Sequence, residues 1–136
     1  MNAASHPLAK AQYVSFTTFR RNGDGVATPV WFAPMGDQFA FVSVAGTGKT
    51  KRLANDGRVT LRPCDMRGKV APDAPTYTGT AIVDPTPEGI ARARAAVVAK
   101  YGLPARFADL GSAAAKLVGR SIAPRAGIIV TLDEAN

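Results

Sequence analysis

A chain of 136 residues is long enough for one domain with a single core. Its composition, 46% hydrophobic and 20% charged, is typical of a globular protein, and no apolar run approaches the roughly 18 residues that a membrane span needs. The single cysteine, Cys64, excludes an internal disulfide and a cysteine-rich metal site. We therefore expect one domain over residues 1–136, no signal peptide and a reducing, cytoplasmic setting.

The net charge of +7 is concentrated in one part of the chain. Residues 49–69 hold seven of the 17 basic residues, and only Asp56 and Asp65 oppose them. Such a concentration favours an anionic partner, such as a phosphate-bearing cofactor or a nucleic acid. A solvated basic face is the alternative interpretation.

Alternation of aromatic and β-branched residues predicts six strands, with Gly- and Asp-containing turns between them. Pro29 places the second strand at an edge or a bulge, because proline cannot donate to a ladder. In the third strand, Phe39, Phe41 and Ser43 share one face. The predicted strands span residues 12–20, 26–34, 39–44, 59–64, 76–83 and 127–132.

Helices are predicted after the third strand and after the fifth. Residues 49–55 can form one or two turns, which Gly57 ends. A longer helix starts at the N-cap Thr86, with Pro87 in its first position, and stops at Gly102. A further helix is predicted over residues 106–118. This order indicates a mainly β fold: a six-stranded antiparallel barrel with a helical insert.

The sequence offers little for acid–base or nucleophilic catalysis. Its carboxylates fall at turns, caps and the C-terminal tail. The only histidine, His6, precedes the first strand, where we expect a disordered or surface residue. Cys64 has no base near it in the sequence, so it is expected to serve as a small strand hydrophobe. If the protein is an enzyme, its reactive group must come from a bound cofactor.

The run from Gly46 to Thr50 is the best candidate for a phosphate site. It lacks the first glycine of the Walker pattern, since Ser43 stands there, and no βαβ unit follows. A glycine loop that leads into a helical turn nevertheless presents backbone N–H groups to an anion, and Lys49 adds a positive charge. Lys49 and Arg52, three positions apart, are expected on one face of that turn.

The ordered series of segments resembles the flavin-binding split barrels. The segments are residues 13–20, the turn at 22–25, the TPVWF strand at 28–32, FVS at 41–43, GKTKRL at 48–53 and RPCDMRG at 62–68. Together they resemble the pyridoxamine-phosphate-oxidase-like class, and within it the small F420-dependent oxidoreductases of actinobacteria. The resemblance covers nearly the whole chain. It implies a split-barrel homodimer with a cofactor groove between its subunits.

The resemblance also assigns cofactor-binding residues. It implies that Lys49 holds the cofactor phosphate, that the Thr50 hydroxyl lies beside it, and that two strands contact the ring. The resemblance assigns a cofactor-binding role less strongly to three arginines, Arg52, Arg62 and Arg67. For these residues, a place on a solvated basic face or in ion pairs at a subunit interface is an equal alternative. The strand residues are Thr28, Pro29 and Val30 under the ring, and Val42 and Ser43 against the ring and the phosphate-bearing chain.

The phosphate segment departs from the pattern of the FMN-using oxidases. Those proteins carry an arginine on the second strand and an Arg-Lys pair at the phosphate, where this chain has Thr28 and Gly48-Lys49. With fewer basic residues at the phosphate position, this chain is compatible with the deazaflavin coenzyme F420. The phosphodiester and polyglutamate tail of that coenzyme suit a spread-out basic surface. Hydride transfer from a reduced deazaflavin requires mainly alignment and a water-poor pocket, which agrees with the missing acid–base residues.

The sequence thus favours an F420-dependent reductase that passes a hydride to an unidentified small-molecule acceptor. FMN binding on the same fold and a carrier that holds F420 without turnover remain alternatives, and Trp31 is a candidate for either the core or the pocket wall. A nucleic-acid-binding barrel is the alternative from a different class, and the sequence favours it less. Its stacking platforms would be Tyr13, Phe16, Phe19, Phe39 and Phe41.

Overall fold

The computed structural model describes residues 3–44, 46–102 and 125–133. Two short 3-10 turns, Ala3–Ser5 and Pro7–Ala9, precede seven strands and two helices. The predicted helix over residues 106–118 lies outside the described residues. The elements are β1 (Tyr13–Phe19), β2 (Gly25–Val30), β3 (Ala33–Met35), β4 (Gln38–Val44), α1 (Gly48–Asn55), β5 (Arg58–Cys64), β6 (Tyr77–Asp84), α2 (Pro87–Tyr101) and β7 (Arg125–Leu132).

All seven strands form one antiparallel sheet in the order β2-β1-β5-β6-β7-β4-β3. The sequence predicted six strands, and that count is corrected to seven. The predicted second strand ends at Val30, and the chain turns through Trp31 and Phe32 before β3 begins. The continuous apolar run hides this break, because periodicity alone cannot locate a bend between two buried segments. The edge position predicted from Pro29 is confirmed, since β1 is the one described strand that pairs with β2.

The core lies on one face of the curved sheet. Phe16 pairs in register with Leu61, and Phe41 pairs with Ile128. The rings of Phe16 and Phe41 meet edge to face with centroids 5.0 Å apart, a favourable aromatic geometry. The largest fully buried side chains are Phe16, Phe32, Phe39, Leu8, Leu61, Ile128, Val14, Val59 and Val130.

Helix α2 covers the part of the sheet formed by β3, β4 and β7. Its start is set as the sequence predicted, because the Thr86 hydroxyl accepts a hydrogen bond from the N–H of Gly89 at 3.0 Å. Its end is set by Gly102, whose φ of +67° suits glycine. Both predicted helix boundaries are therefore confirmed. Neither described helix is long and apolar enough to cross a membrane.

The N-terminal segment is held against the sheet, contrary to the expectation for His6. The imidazole accepts a hydrogen bond from the N–H of Leu8 at 3.1 Å and packs edge-on against Phe39 and Tyr77. Burial lowers the pKa of His6. The ring therefore acts as a half-buried structural group.

Candidate functional site

A cavity of about 390 Å³ lies where the sheet is split, between β2 and β4 and beside α2. Strand β3 pairs only with the first three residues of β4, up to Ala40. Beyond Ala40, no ladder among the described residues covers that edge of β4, and β2 has an open edge of its own. The cavity thus lies beside strand edges that no other strand pairs with among the described residues, and such edges present N–H and C=O groups to a ligand.

The walls of the cavity are largely apolar, and the polar groups lie at a few positions. Strands, helix α2 and the break after β2 all contribute to the apolar wall. Such a combination of apolar walls with a few polar groups is typical of small-molecule sites. The apolar residues are Pro29, Val30, Trp31, Phe41, Val42, Val44, Val97 and Val98.

Five of the nine predicted cofactor-binding residues line this one cavity. They come from three elements that are separated in sequence, β2, β4 and α1. The fold therefore brings these five residues together, and their role in cofactor binding stays a prediction. The five residues are Pro29, Val30, Val42, Ser43 and Lys49.

Lys49 enters the cavity from the first turn of α1. The chain turns at Gly46, whose φ is +78°, and Thr47 is the extended N-cap residue of the helix. Burial, and then the nearby Arg52 guanidinium, lowers the pKa of Lys49. Among the described residues Lys49 makes no ion pair. An anionic group beside Lys49 would offset the cost of its half-buried charge.

Two predicted residues, Thr28 and Thr50, lie next to the cavity lining without belonging to it. Thr28 pairs with Phe16, and its buried hydroxyl oxygen has no hydrogen-bond partner among the described residues. The buried Thr50 hydroxyl donates to the carbonyl oxygen of Thr47 at 2.9 Å. Thr50 therefore stabilises the start of α1 rather than facing the space beside Lys49.

The two predicted arginines also point elsewhere. Arg52 donates from Nε to the Thr18 hydroxyl at 2.6 Å, so it reaches towards β1. Arg52 lies close enough to Lys49 to lower its pKa, but its guanidinium binds the Thr18 hydroxyl and does not line the cavity. Arg62 donates to the carbonyl oxygen of Ala74 at 3.0 Å and fastens the loop before β6.

Sequence reasoning missed two cations of the cavity, Arg94 and Arg125. Arg94 stands three and four positions before Val97 and Val98, so helical spacing places all three on one face of α2. That spacing was the available signal. Arg125 is the first residue of β7, and the pairing of β7 with β4 is a long-range contact that local sequence does not show. With Lys49, these arginines give the lining three basic side chains, which favour an anionic ligand.

Trp31 belongs both to the core and to the cavity wall. It packs against the hydrophobic core while it lines the cavity. Its indole stacks on the ring of Tyr101, with centroids 4.7 Å apart and planes 11° from parallel. The two interpretations offered by the sequence are thus compatible.

The proposed stacking platforms for nucleic acid are mostly unavailable. Phe16, Phe39 and Phe41 are at most 3% exposed. The Phe19 ring has the Arg58 guanidinium 5.2 Å from its centroid. Bases could not stack on rings that form the core. No group of three metal-binding side chains is found in the described ranges either.

Comparison with solved structures shows a split-barrel-like fold. An F420 reductase is 18% identical with a TM-score of 0.59, over 93% of this chain and 90% of the other. HutZ, a heme storage protein of Vibrio cholerae, is 8% identical with a TM-score of 0.66, over 94% and 86%. A conserved hypothetical protein of Mycobacterium tuberculosis is 17% identical with a TM-score of 0.65, over 93% and 76%.

At these identities the likeness establishes the architecture: a mainly β, antiparallel, split-barrel-like fold with helices. No family model matches the sequence. No curated protein matches it either. The neighbours differ in what their names say they bind, so function has to be argued from the cavity itself.

Proposed function

We propose that the cavity between β2 and β4 binds the deazaflavin coenzyme F420 and that the protein uses it as a reductase. The observation that carries this proposal is the combination of a largely apolar lining with Lys49 in the same cavity. A flat aromatic ring suits the wall, and a phosphate suits the ammonium group. The F420 reductase among the structural neighbours supports the choice of cofactor class.

The residues of the cavity fit such a cofactor. Lys49 lacks an ion-pair partner among the described residues, and an anion would supply one. The open edges of β2 and β4 offer backbone N–H and C=O groups to the polar rim of a ring. The buried hydroxyl of Thr28, which directly precedes the lining residue Pro29, and that of Thr47, two positions before Lys49, have no hydrogen-bond partner among the described residues. Buried hydroxyls without a partner are rare, and a polar ligand would satisfy them.

The chain's own residues would align the reactants and exclude water. When bound, the reduced deazaflavin would supply a hydride and itself be oxidised, and bulk solvent outside the cavity would supply the proton that completes reduction of the acceptor. Trp31, Val97 and Val98 would keep the space water-poor. Arg94 and Arg125 would stabilise negative charge on the acceptor or on the cofactor.

Haem binding, which the name of one neighbour indicates for that protein, is favoured less by the described lining. The lining residues in the described ranges include no histidine, cysteine, methionine or tyrosine. These are the side chains that ligate haem iron in proteins. A flavin-type cofactor needs no such ligand.

A paired fluorescence titration with F420 and with FMN, at physiological salt, tests the proposal. We expect saturable binding of F420 at micromolar or lower concentration, and weaker binding of FMN. Lys49→Ala should weaken F420 binding by about 1.5–3 kcal/mol, the contribution of a charge-assisted hydrogen bond. The exposed Lys10→Ala removes the same charge elsewhere and should leave the affinity unchanged.

The outcomes separate the alternatives. Tighter binding of FMN would reassign the protein to flavin chemistry on the same fold. Binding of F420 without turnover of any screened acceptor would favour a carrier. If neither cofactor binds, the cofactor proposal is wrong.

We also propose that the protein acts as a homodimer, the assembly that the sequence resemblance implies. A partner subunit would close the open side of the cavity and exclude more water. Sedimentation equilibrium with and without F420 tests this. A monomer at all concentrations would contradict the proposed assembly while leaving the cofactor titration to decide the rest.

A further inference from the structure

A second, smaller cavity of about 250 Å³ lies beside α1 and the end of β1. We call it the basic groove. It shares no lining residue with the cavity between β2 and β4. Helix α1 gives Lys49 to the larger cavity and three other residues to the groove. The groove residues are Phe19, Arg20, Arg21, Lys51, Arg52 and Asn55.

The basic groove carries four positive charges and no carboxylate among its lining residues. Asp24, in the same hairpin, accepts hydrogen bonds from Asn22. Asp56, which follows α1, forms an ion pair with Arg58 at 2.9 Å. That pair is the only ion pair within the described residues. The potential in the groove is therefore strongly positive and favours multiply charged anions.

Arg52 is held in place within the groove before any ligand arrives. Its Nε donates to the buried Thr18 hydroxyl at 2.6 Å. One of its terminal nitrogens, Nη1, lies so close to Gly48 that a Cβ added to this glycine would be only 2.7 Å from it. The two terminal nitrogens have no protein acceptor in the described ranges. A guanidinium fixed in this way loses little conformational entropy when it binds an anion.

We propose that the basic groove binds an oligophosphate, meaning a small anion with two or more linked phosphates. Three of its four cations are arginines, whose planar forks match phosphate oxygens in pairs. Four charges in one groove exceed what a single carboxylate or orthophosphate would neutralise. The site does not depend on the proposed cofactor, because the two cavities share no residue.

The groove favours an isolated oligophosphate over single-stranded nucleic acid. Nucleic acid would need an aromatic face on which its bases stack. The only aromatic residue among the described residues that line the groove is Phe19, and the Arg58 guanidinium lies over its ring, 5.2 Å from the centroid. The groove thus offers four cationic side chains to phosphates but a single ring, with a guanidinium over it, to bases.

Calorimetric titration with inorganic tripolyphosphate tests the proposal. We compare the wild type with the triple variant Arg20→Gln, Arg21→Gln, Lys51→Gln, which changes three exposed groove residues. The matched control is Lys10→Gln, Lys69→Gln, Arg92→Gln, which removes the same number of charges from exposed positions that line neither cavity. Each protein is titrated at low and at physiological salt.

We expect one tripolyphosphate per chain, with a dissociation constant at least about tenfold higher in the groove variant. The control should differ from the wild type by less than about twofold. Equal losses in both variants would overturn the proposal, since they would indicate unspecific attraction to a basic protein. Tighter binding of an oligothymidylate that responds to the groove variant would also overturn it, in favour of nucleic acid. Absence of binding at low salt would do the same.

Discussion

The phenol ring of Tyr101 lies flat against the indole of Trp31, at the point where α2 ends and the strand break after β2 begins. The Tyr101 hydroxyl accepts a hydrogen bond from the N–H of Phe32 at 3.0 Å and donates to the carbonyl oxygen of Gln12 at 2.7 Å. One side chain thus holds three distant parts of the chain together. Because Trp31 also lines the larger cavity, this contact fixes part of the cavity wall.

Removing the hydroxyl alone separates the two roles of Tyr101. We expect Tyr101→Phe to keep the stack on Trp31 but to lower the free energy of unfolding by about 1–3 kcal/mol, because the N–H of Phe32 loses its acceptor. Urea denaturation followed by tryptophan emission measures the change. Tyr77→Phe is the control, since the Tyr77 hydroxyl makes no hydrogen bond within the described ranges and its loss should change little. Equal stability of the two variants would show that the Tyr101 hydroxyl contributes nothing.

The lowered pKa of Lys100 predicts that the folded protein becomes more stable as the pH rises into the alkaline range. Its ammonium donates to the carbonyl oxygens of Ala11 and Phe32, and burial lowers its pKa to about 8. The unfolded chain, with a lysine pKa near 10.5, holds this proton more tightly than the folded chain between those two pH values. The free energy of unfolding should therefore rise with pH across that window.

The variant Lys100→Met isolates this effect from other titrating groups, including Lys49, whose pKa is also lowered. Urea denaturation of both proteins between about pH 7 and pH 10.5 gives their difference in stability. We expect the wild type to gain on the variant as the pH rises. A difference that stays flat, or that falls with pH, would contradict the lowered pKa.

The sequence predicted the sheet better than it predicted the site. Alternation and turn glycines located every described strand except β3, since these signals are local. The break before β3 depends on contacts of Phe32 with Lys100 and Tyr101, which lie 68 and 69 positions away. No local pattern carries that information.

The same distinction applies to the cavity. Lys49 was identified because its glycine loop and helical turn are a local signal. Arg125 was missed because its relevance depends on the pairing of β7 with β4. That Arg52 lines the smaller cavity could not be predicted from the sequence, because its acceptor, Thr18, is 34 positions away.

The contact between Arg52 and Thr18 can be measured with a double-mutant cycle. The cycle combines Arg52→Gln with Thr18→Val, a change that keeps the shape of a side chain that is 1% exposed. We expect a coupling energy of about 1 kcal/mol or more, because the bond joins a charged donor to a buried hydroxyl. Urea denaturation of the four proteins gives the value. A coupling energy near zero would mean that Arg52 is not held by Thr18.

The crossing of α2 over β7 depends on Gly127. A Cβ added there would lie 3.0 Å from the carbonyl oxygen of Gly89 and 3.4 Å from the Cβ of Ala93. Gly127→Ala must therefore push α2 away from the sheet, at a cost of about 1–3 kcal/mol for overpacking. Alanine suits a strand better than glycine does, but that gain of about 0.5–1 kcal/mol is smaller. We expect a net loss in the free energy of unfolding in urea, and a stability equal to or above that of the wild type would show that α2 moves freely over β7.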